Sequence, residues 1–171
     1  MKHKKFAVLL AAAFCLLPTL SAFGQDTFGD PNAEYTFSIP DDKWKVTGKP
    51  TAALSNMDMV WGDRADGAME VRKLTVPRDQ TITQLMHGSE ENKYSFLRGF
   101  VSGKDETFSG KLRGGVFNFE YVAAGKVMAG RNYYLRANDT TVYLLKFSGP
   151  KDNIRSLRNQ ADTMARTFGI K

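Results

Sequence analysis

The chain has 171 residues, with 24 Lys and Arg against 18 Asp and Glu, and a formal net charge of +6. Three of those cations, Lys2, Lys4 and Lys5, sit in an N-terminal leader, so the remainder carries 21 against 18, or +3; with no basic run and no arginine cluster among exposed aromatics, it argues against a nucleic-acid partner. Cys15 and His3 fall in the same leader, leaving His87 alone, which excludes a disulfide and a zinc site of the usual His and Cys ligands within one subunit.

Residues 1–24 read as a secretory signal peptide, with a positive start, an apolar run over 6–17 and a small-x-small cleavage site at Ala22-Phe23-Gly24. The run is too short to span a membrane comfortably. Phe14 before Cys15 does not fit the small residue that a lipoprotein signal needs there. Cleavage after Gly24 places the protein in the periplasm or outside the cell, with a flexible lead-in over 25–33 and a single domain over 34–171.

Tyr35, Phe37 and Ile39 alternate with Glu34, Thr36 and Ser38, the period-two signature of a strand. Pro40-Asp41-Asp42 turns the chain into a short segment over 44–47, where Trp44 plugs one end of the core, and 49–56 is a loop. Strands are expected over 57–61 and 68–76, joined through 62–67 with Asp66-Gly67 as the turn pair. After Pro77, Thr81 and Gln84 form a capping box for a helix over 82–98, which His87-Gly88-Ser89 interrupts. A strand over 100–108, broken at Gly103, leads to a turn bracketed by Ser109-Gly110 and Gly114-Gly115.

The stretch 115–168 organises the rest. Over 116–123, Phe117, Phe119 and Tyr121 face one way and Asn118 and Glu120 the other. Ala124-Gly125-Lys126 closes a tight turn into 127–137, with one wetter face and a bulge at Gly130. Asn138-Asp139 is a two-residue turn tolerant of positive φ. The following strand, 140–147, is apolar on both faces, which places it inside a sheet with cover on each side. Ser148-Gly149-Pro150 then starts a helix whose apolar stripe is Ile154, Leu157, Ala161, Met164, Ala165 and Phe168. Lys151, Arg155, Arg158, Asp162 and Arg166 make its solvated face, with Asp162 spaced to pair with Arg158 or Arg166.

Signals for chemistry are sparse. His87 near Ser89 lacks a nucleophile-elbow motif. Asp63, Asp66 and Glu70 miss the spacing of a calcium loop, and Lys111-Leu112-Arg113-Gly114-Gly115 misses that of a phosphate loop. No catalytic, cofactor-binding or metal residue is assigned. Spatial carboxylate pairs remain open, as does a ligand pocket lined by Met57, Met59, Met69, Met86 and Met128.

The pattern Tyr35-x-Phe37-x-Ile39-Pro40 followed by Trp44 resembles the PsbP-like superfamily, as do Phe108-x-Gly110, Phe117-x-Phe119-x-Tyr121, Arg131-x-Tyr133-Tyr134-Leu135, Val142-Tyr143-x-Leu145-x-Phe147 and the closing helix. That superfamily includes the photosystem II extrinsic subunit, a Ran-binding transport factor and DcrB-like envelope proteins. The resemblance implies an α+β fold, a largely antiparallel central sheet flanked by helices in an α/β/α sandwich. It also implies a non-catalytic binding or assembly factor, here with another envelope protein as partner. A small hydrophobic ligand or lipid is the alternative, and a carboxylate-based enzyme ranks third.

Overall fold

The computed structural model describes residues 26–171, apart from the side chains of residues 89–91; the leader over 1–24 lies outside the described residues. In chain order the elements are β1 (Asp26–Phe28), β2 (Tyr35–Ile39), β3 (Trp44–Gly48), β4 (Met57–Trp61) and β5 (Asp63–Thr75). A helical segment over 82–94 follows, made of α1 (Ile82–Leu85), a π-helical turn (Met86–Glu90) and α2 (Glu91–Tyr94). Then come β6 (Val101–Ser102), β7 (Glu106–Ser109), β8 (Arg113–Ala123), β9 (Lys126–Asn138), β10 (Thr141–Pro150), α3 (Lys151–Thr167) and β11 (Gly169–Ile170).

Eight strands make the main sheet in the order β3-β4-β5-β10-β9-β8-β6, with β7 also on the free edge of β8. All the pairings are antiparallel. β10 is central because it is apolar on both sides. Tyr143, Leu145 and Phe147 point to one face and Val142 and Leu144 to the other, and all five are buried.

α3 covers the first face with the stripe Ile154, Leu157, Ala161, Met164 and Ala165, and Phe168 closes it. Beside α3 lies a second sheet of three strands, β1-β2-β11. Its aromatics stack on the helix end: Tyr35 on Phe168 at 4.9 Å between centroids, Phe28 on Phe37 at 5.0 Å. Trp44 seals the far side, edge-on to Phe147 and donating Nε1 to Gln160 Oε1 at 2.7 Å.

The second face is covered by the 82–94 segment. Thr81 caps α1 as the sequence indicates, its hydroxyl accepting from the Gln84 amide while the Gln84 side chain accepts from the Thr81 amide. The regular helix lasts one turn before passing into the π turn at His87 and Gly88, and it stops at Tyr94 rather than Arg98.

Several local expectations are corrected. The lead-in over 26–33 holds β1, and Phe28 and Ala33 are buried. The chain reverses after β4 at Gly62 (φ +66), and Asp66 and Gly67 lie within β5. The β9–β10 turn residues are Asp139 and Thr140, stabilised by the Asn138 side chain accepting from the Thr140 amide, without positive φ. Gly114 and Gly115 lie within β8, where Gly114 backs onto the Tyr134 carbonyl so closely that a Cβ would meet it at 1.7 Å. Gly130 is no bulge. It keeps register with Phe119 and Ser148, and its missing Cβ makes room for the Phe119 ring. β9 has no wet face at its centre, since Arg131, Asn132, Tyr133, Tyr134 and Leu135 are all buried.

Candidate functional site

The 82–94 segment is short, and the sheet beneath it is long. α1 and the π turn cover the sheet near Val76, Val142 and Leu144, while towards Ser148 the second face stays partly open. There Glu70, Tyr94, Leu97, Phe119, Tyr121, Asn132, Lys146 and Ser148 line a groove of about 210 Å³.

Register explains this set. Lys146 sits opposite Glu70 on one side and Asn132 on the other, so a cation, an anion and an amide cross the floor in one row. Alternation along β8 places Phe117, Phe119 and Tyr121 side by side as a stacked ladder, with centroids 5.6 and 6.0 Å apart. Tyr94 from α2 lies flat on Phe119 at 4.2 Å and 25°. The groove therefore has an aromatic wall and a polar floor.

Asn132 is the unusual member, 0% exposed. Its Nδ2 donates to the Tyr94 hydroxyl at 3.2 Å, and its Oδ1 is buried with no hydrogen-bond partner. A buried amide end left unpaired costs about 1–3 kcal/mol. Burial pushes the Tyr121 phenol above its ordinary value, so the hydroxyl stays protonated as a donor and acceptor. A second hollow, about 370 Å³, lies towards the other end of β5 between Lys73, Leu74, Thr75, Val76, Gln80, Leu85 and Lys93.

On the first face, Arg131 is 5% exposed and uses all five of its donors. Nε donates to the Tyr133 hydroxyl at 2.7 Å, Nη1 to Asn118 Oδ1 at 2.7 Å and Glu106 Oε1 at 3.1 Å, and Nη2 to Glu106 Oε2 at 3.2 Å and Asp162 Oδ1 at 3.1 Å. Tyr133 in turn donates its hydroxyl to Asp162 Oδ1 at 2.5 Å. Burial lowers the guanidinium's proton affinity, but the bonds from Glu106, Tyr133 and Asp162 more than reverse this, and the cation is held firmly. The Arg131 hydrogen bond holds the Glu106 carboxyl below its usual range, and burial drives the Tyr133 phenol far up.

Two carboxylates thus do meet, at Glu106 and Asp162. Arg131 lies between them and neither lines a groove; the cluster ties β7, β8 and β9 to α3. Asp162 accordingly turns inward, instead of joining a solvated face. Arg158 reaches Glu106 at 3.2 Å, and Arg166 bonds the Ser109 carbonyl and lies over Phe108.

The other sequence candidates are scattered. His87 Nε2 is 2.6 Å from Asp105 Oδ2, and its ring stands edge-on to Phe117. Asp63 caps its own turn through the amides of Ala65 and Asp66, while Glu70 pairs with Arg72. Among the described residues, no three His, Cys, Asp or Glu groups are placed to hold a metal ion. The 111–115 glycines serve the turn and strand before β9. Met57, Met59 and Met69 fill the first core and Met86 the second, while Met128 is half-buried on β9 opposite Tyr121, so the five do not line one pocket.

No family model matches the chain, and no curated protein matches it by sequence. Its structure is similar to that of cyanobacterial PsbP (CyanoP) from Synechocystis sp. PCC 6803, with 13% identity and a TM-score of 0.63 over 92% of this chain and 99% of that one. It is also similar to the Saccharomyces cerevisiae Ran-binding protein Mog1p (11%, 0.60, 86% and 95%) and to LpqN, involved in cell envelope biogenesis of Mycobacterium tuberculosis (15%, 0.54, 86% and 91%). The chain has the PsbP-like fold, a mostly antiparallel, sheet-rich single domain, as its aromatic patterning implies. Among the described residues no helix is long and apolar enough to cross a membrane.

Proposed function

We propose that this chain is an exported, non-catalytic binding or assembly protein. It is released by cleavage after Gly24, its single domain has helices on both sides of the sheet, and it holds another envelope protein through the open half of the second face. The observation that carries the reading is the aromatic groove ending on Asn132, whose Oδ1 has no hydrogen-bond partner. Its volume, about 210 Å³, is below the roughly 300–1,000 Å³ of ordinary ligand pockets. It suits one aromatic side chain of a partner, stacked on Phe119 and Tyr121, with a hydroxyl or indole N–H donated to Asn132. Glu70 and Lys146, opposite each other in register, then form a polar edge. The shared fold with a Ran-binding protein and a protein of cell envelope biogenesis supports a binding role.

The test places a photo-crosslinking phenylalanine derivative at Tyr121, with Trp61 at the opposite edge of the sheet as control. We expect a protein adduct from Tyr121 only. The partner, identified by mass and then purified, should bind the wild-type chain at least about tenfold more tightly than Phe119→Ala. Native mass spectrometry that finds a small-molecule adduct, without a protein crosslink, would replace this reading with a ligand-binding module.

A further inference from the structure

At one end of the main sheet, two apolar segments meet beside the smaller groove, to which they contribute Leu97 and Tyr121. The tip of the β8–β9 hairpin reads Tyr121-Val122-Ala123-Ala124-Gly125-Lys126-Val127-Met128-Ala129, nine residues with one charge. Its turn is tight, with Ala124 at φ +49 and Gly125 at φ +75. Against it lies the loop over 95–100, running into β6. The loop folds on itself through Leu97 N to Tyr94 O and Phe100 N to Leu97 O, and Val122 N donates to the Arg98 carbonyl at 2.7 Å. Gly99, at φ +63, is pressed on Val122 so that a Cβ would stand 3.1 Å from Cγ2.

The result is a fixed projection and not a loose loop, and it presents apolar groups to solvent. Phe96 is 91% exposed, Val101 60% and Val127 49%. A phenylalanine presented in this way gains nothing for the fold and exposes apolar surface that water disfavours. Arg98 and Lys126 are exposed within the two segments, and residues 92–104 and 121–138 contain no Asp or Glu. Glu120, the carboxylate next to the hairpin, is neutralised by Lys151 at 2.9 Å.

We propose that this end of the domain docks reversibly on a membrane surface carrying anionic lipid headgroups. Phe96, Val101 and Val127 enter the boundary between headgroups and acyl chains, and Arg98 and Lys126 pair with headgroup phosphates. Phe96 sits on the loop, Val101 at the start of β6 and Val127 at the start of β9 beside the hairpin turn, and none of the three lines either groove. A projection of this kind enters a headgroup layer directly, whereas a protein partner must supply a matching hollow. The few apolar groups and the few cations are each weak alone, and together they make the two-signal attachment of a peripheral protein.

The test is co-sedimentation of the protein with vesicles of phosphatidylcholine, with and without phosphatidylglycerol, at low and high salt. The protein is used in the processed form that producing cells yield, identified by intact mass, and wild type and variants share that N-terminus. Binding is expected only to the anionic vesicles, weakened by salt and reduced at least about tenfold in Phe96→Ser and in the Arg98→Glu, Lys126→Glu double variant. These side chains are exposed, so unchanged urea midpoints will show that the variants fold. A Phe96→Trp variant adds a depth reading: brominated lipids should quench its added fluorescence, while Trp44 and Trp61 lie at the opposite edge of the sheet. Failure to bind anionic vesicles, equal binding by the variants, or an unquenched Trp at position 96 would overturn the proposal. If the same variants abolish a protein contact without any vesicle binding, the surface is a protein interface and the proposal also fails.

Discussion

The two faces of the main sheet are built from the same strands by the same alternation, yet they are finished differently. On the first face a 17-residue helix packs on the strands beside a three-stranded sheet. Its one buried cation has a partner for each N–H. On the second face the covering helix breaks into single turns, and the sheet is left partly open over Lys146 and Ser148, beside the buried Asn132. The buried side-chain oxygens Asp105 Oδ1 and Asn132 Oδ1, both without partners, belong to this second side. Full satisfaction marks the face that holds the domain together, and unmet hydrogen-bonding capacity marks the face left available for contact.

The sharpest way to break this comparison is Arg131→Met. Removal of a buried guanidinium leaves Glu106 and Asp162 facing each other across Tyr133. Loss of one partner from a buried ion cluster costs about 3–5 kcal/mol, and the part-exposed Glu106 places this case near about 3 kcal/mol. Urea unfolding at neutral pH measures it. The acid limb gives a second readout. The carboxyl of Glu106 is lowered from an ordinary 4.5 in the folded state. Its contribution is therefore present above pH 4.5 and is lost as pH falls through the lower folded value. The wild type should lose stability over that interval, and Arg131→Met should show a flatter acid limb. An Arg131→Met midpoint equal to the wild type's would mean that the first face does not depend on its ion cluster.

Gly130→Ala carries the comparison to the second face with an intermediate effect. The added Cβ would stand 2.1 Å from Phe119 Cζ, so the ring must leave its place between Tyr94 and Tyr121. Overpacking of this kind costs about 1–3 kcal/mol. Binding of a purified partner should fall with it, because the displaced ring is the groove's wall. Retained stability with lost binding would assign the glycine wholly to the groove, and the opposite result would assign it to packing alone.

What the sequence shows of these two faces depends on how local each signal is. The three strands over 116–147, the stripe of α3 and the Thr81–Gln84 cap are written in neighbouring residues and form, although β8 and β10 run longer than read and β9 has neither the bulge nor the wet face expected of it. β1 and β11 have three and two residues and exist only because β2 lies between them, so no window of sequence contains their reason. The Arg131 cluster joins positions 106, 118, 131, 133 and 162. Asp162 sits at a helix position that local spacing assigns to solvent, and only the assembled sheet supplies the buried cation that draws it inward. The groove is harder still. Its aromatic wall is legible in the alternation of Phe117, Phe119 and Tyr121, but its opening depends on where the 82–94 segment stops, which is set by the π turn and not by apolar periodicity.

The smallest expected change in stability is the most informative for function. Asn132→Leu keeps the branching of the side chain while removing an amide whose Oδ1 is buried without a partner. The variant loses the 3.2 Å bond to the Tyr94 hydroxyl, worth about 0.5–1.5 kcal/mol, and is relieved of an unsatisfied group costing about 1–3 kcal/mol. The adjoining groove gives the larger side chain room. The urea midpoint should therefore stay within about 1 kcal/mol of wild type, on the stabilised side if it moves. Affinity for the partner should fall at least about tenfold, because the donor that the partner presents would then be buried against a methyl group. If Asn132→Leu unfolds the domain, the amide is part of the core after all. A stable variant that binds as well as wild type removes Asn132 from the site and leaves the aromatic wall to carry recognition alone.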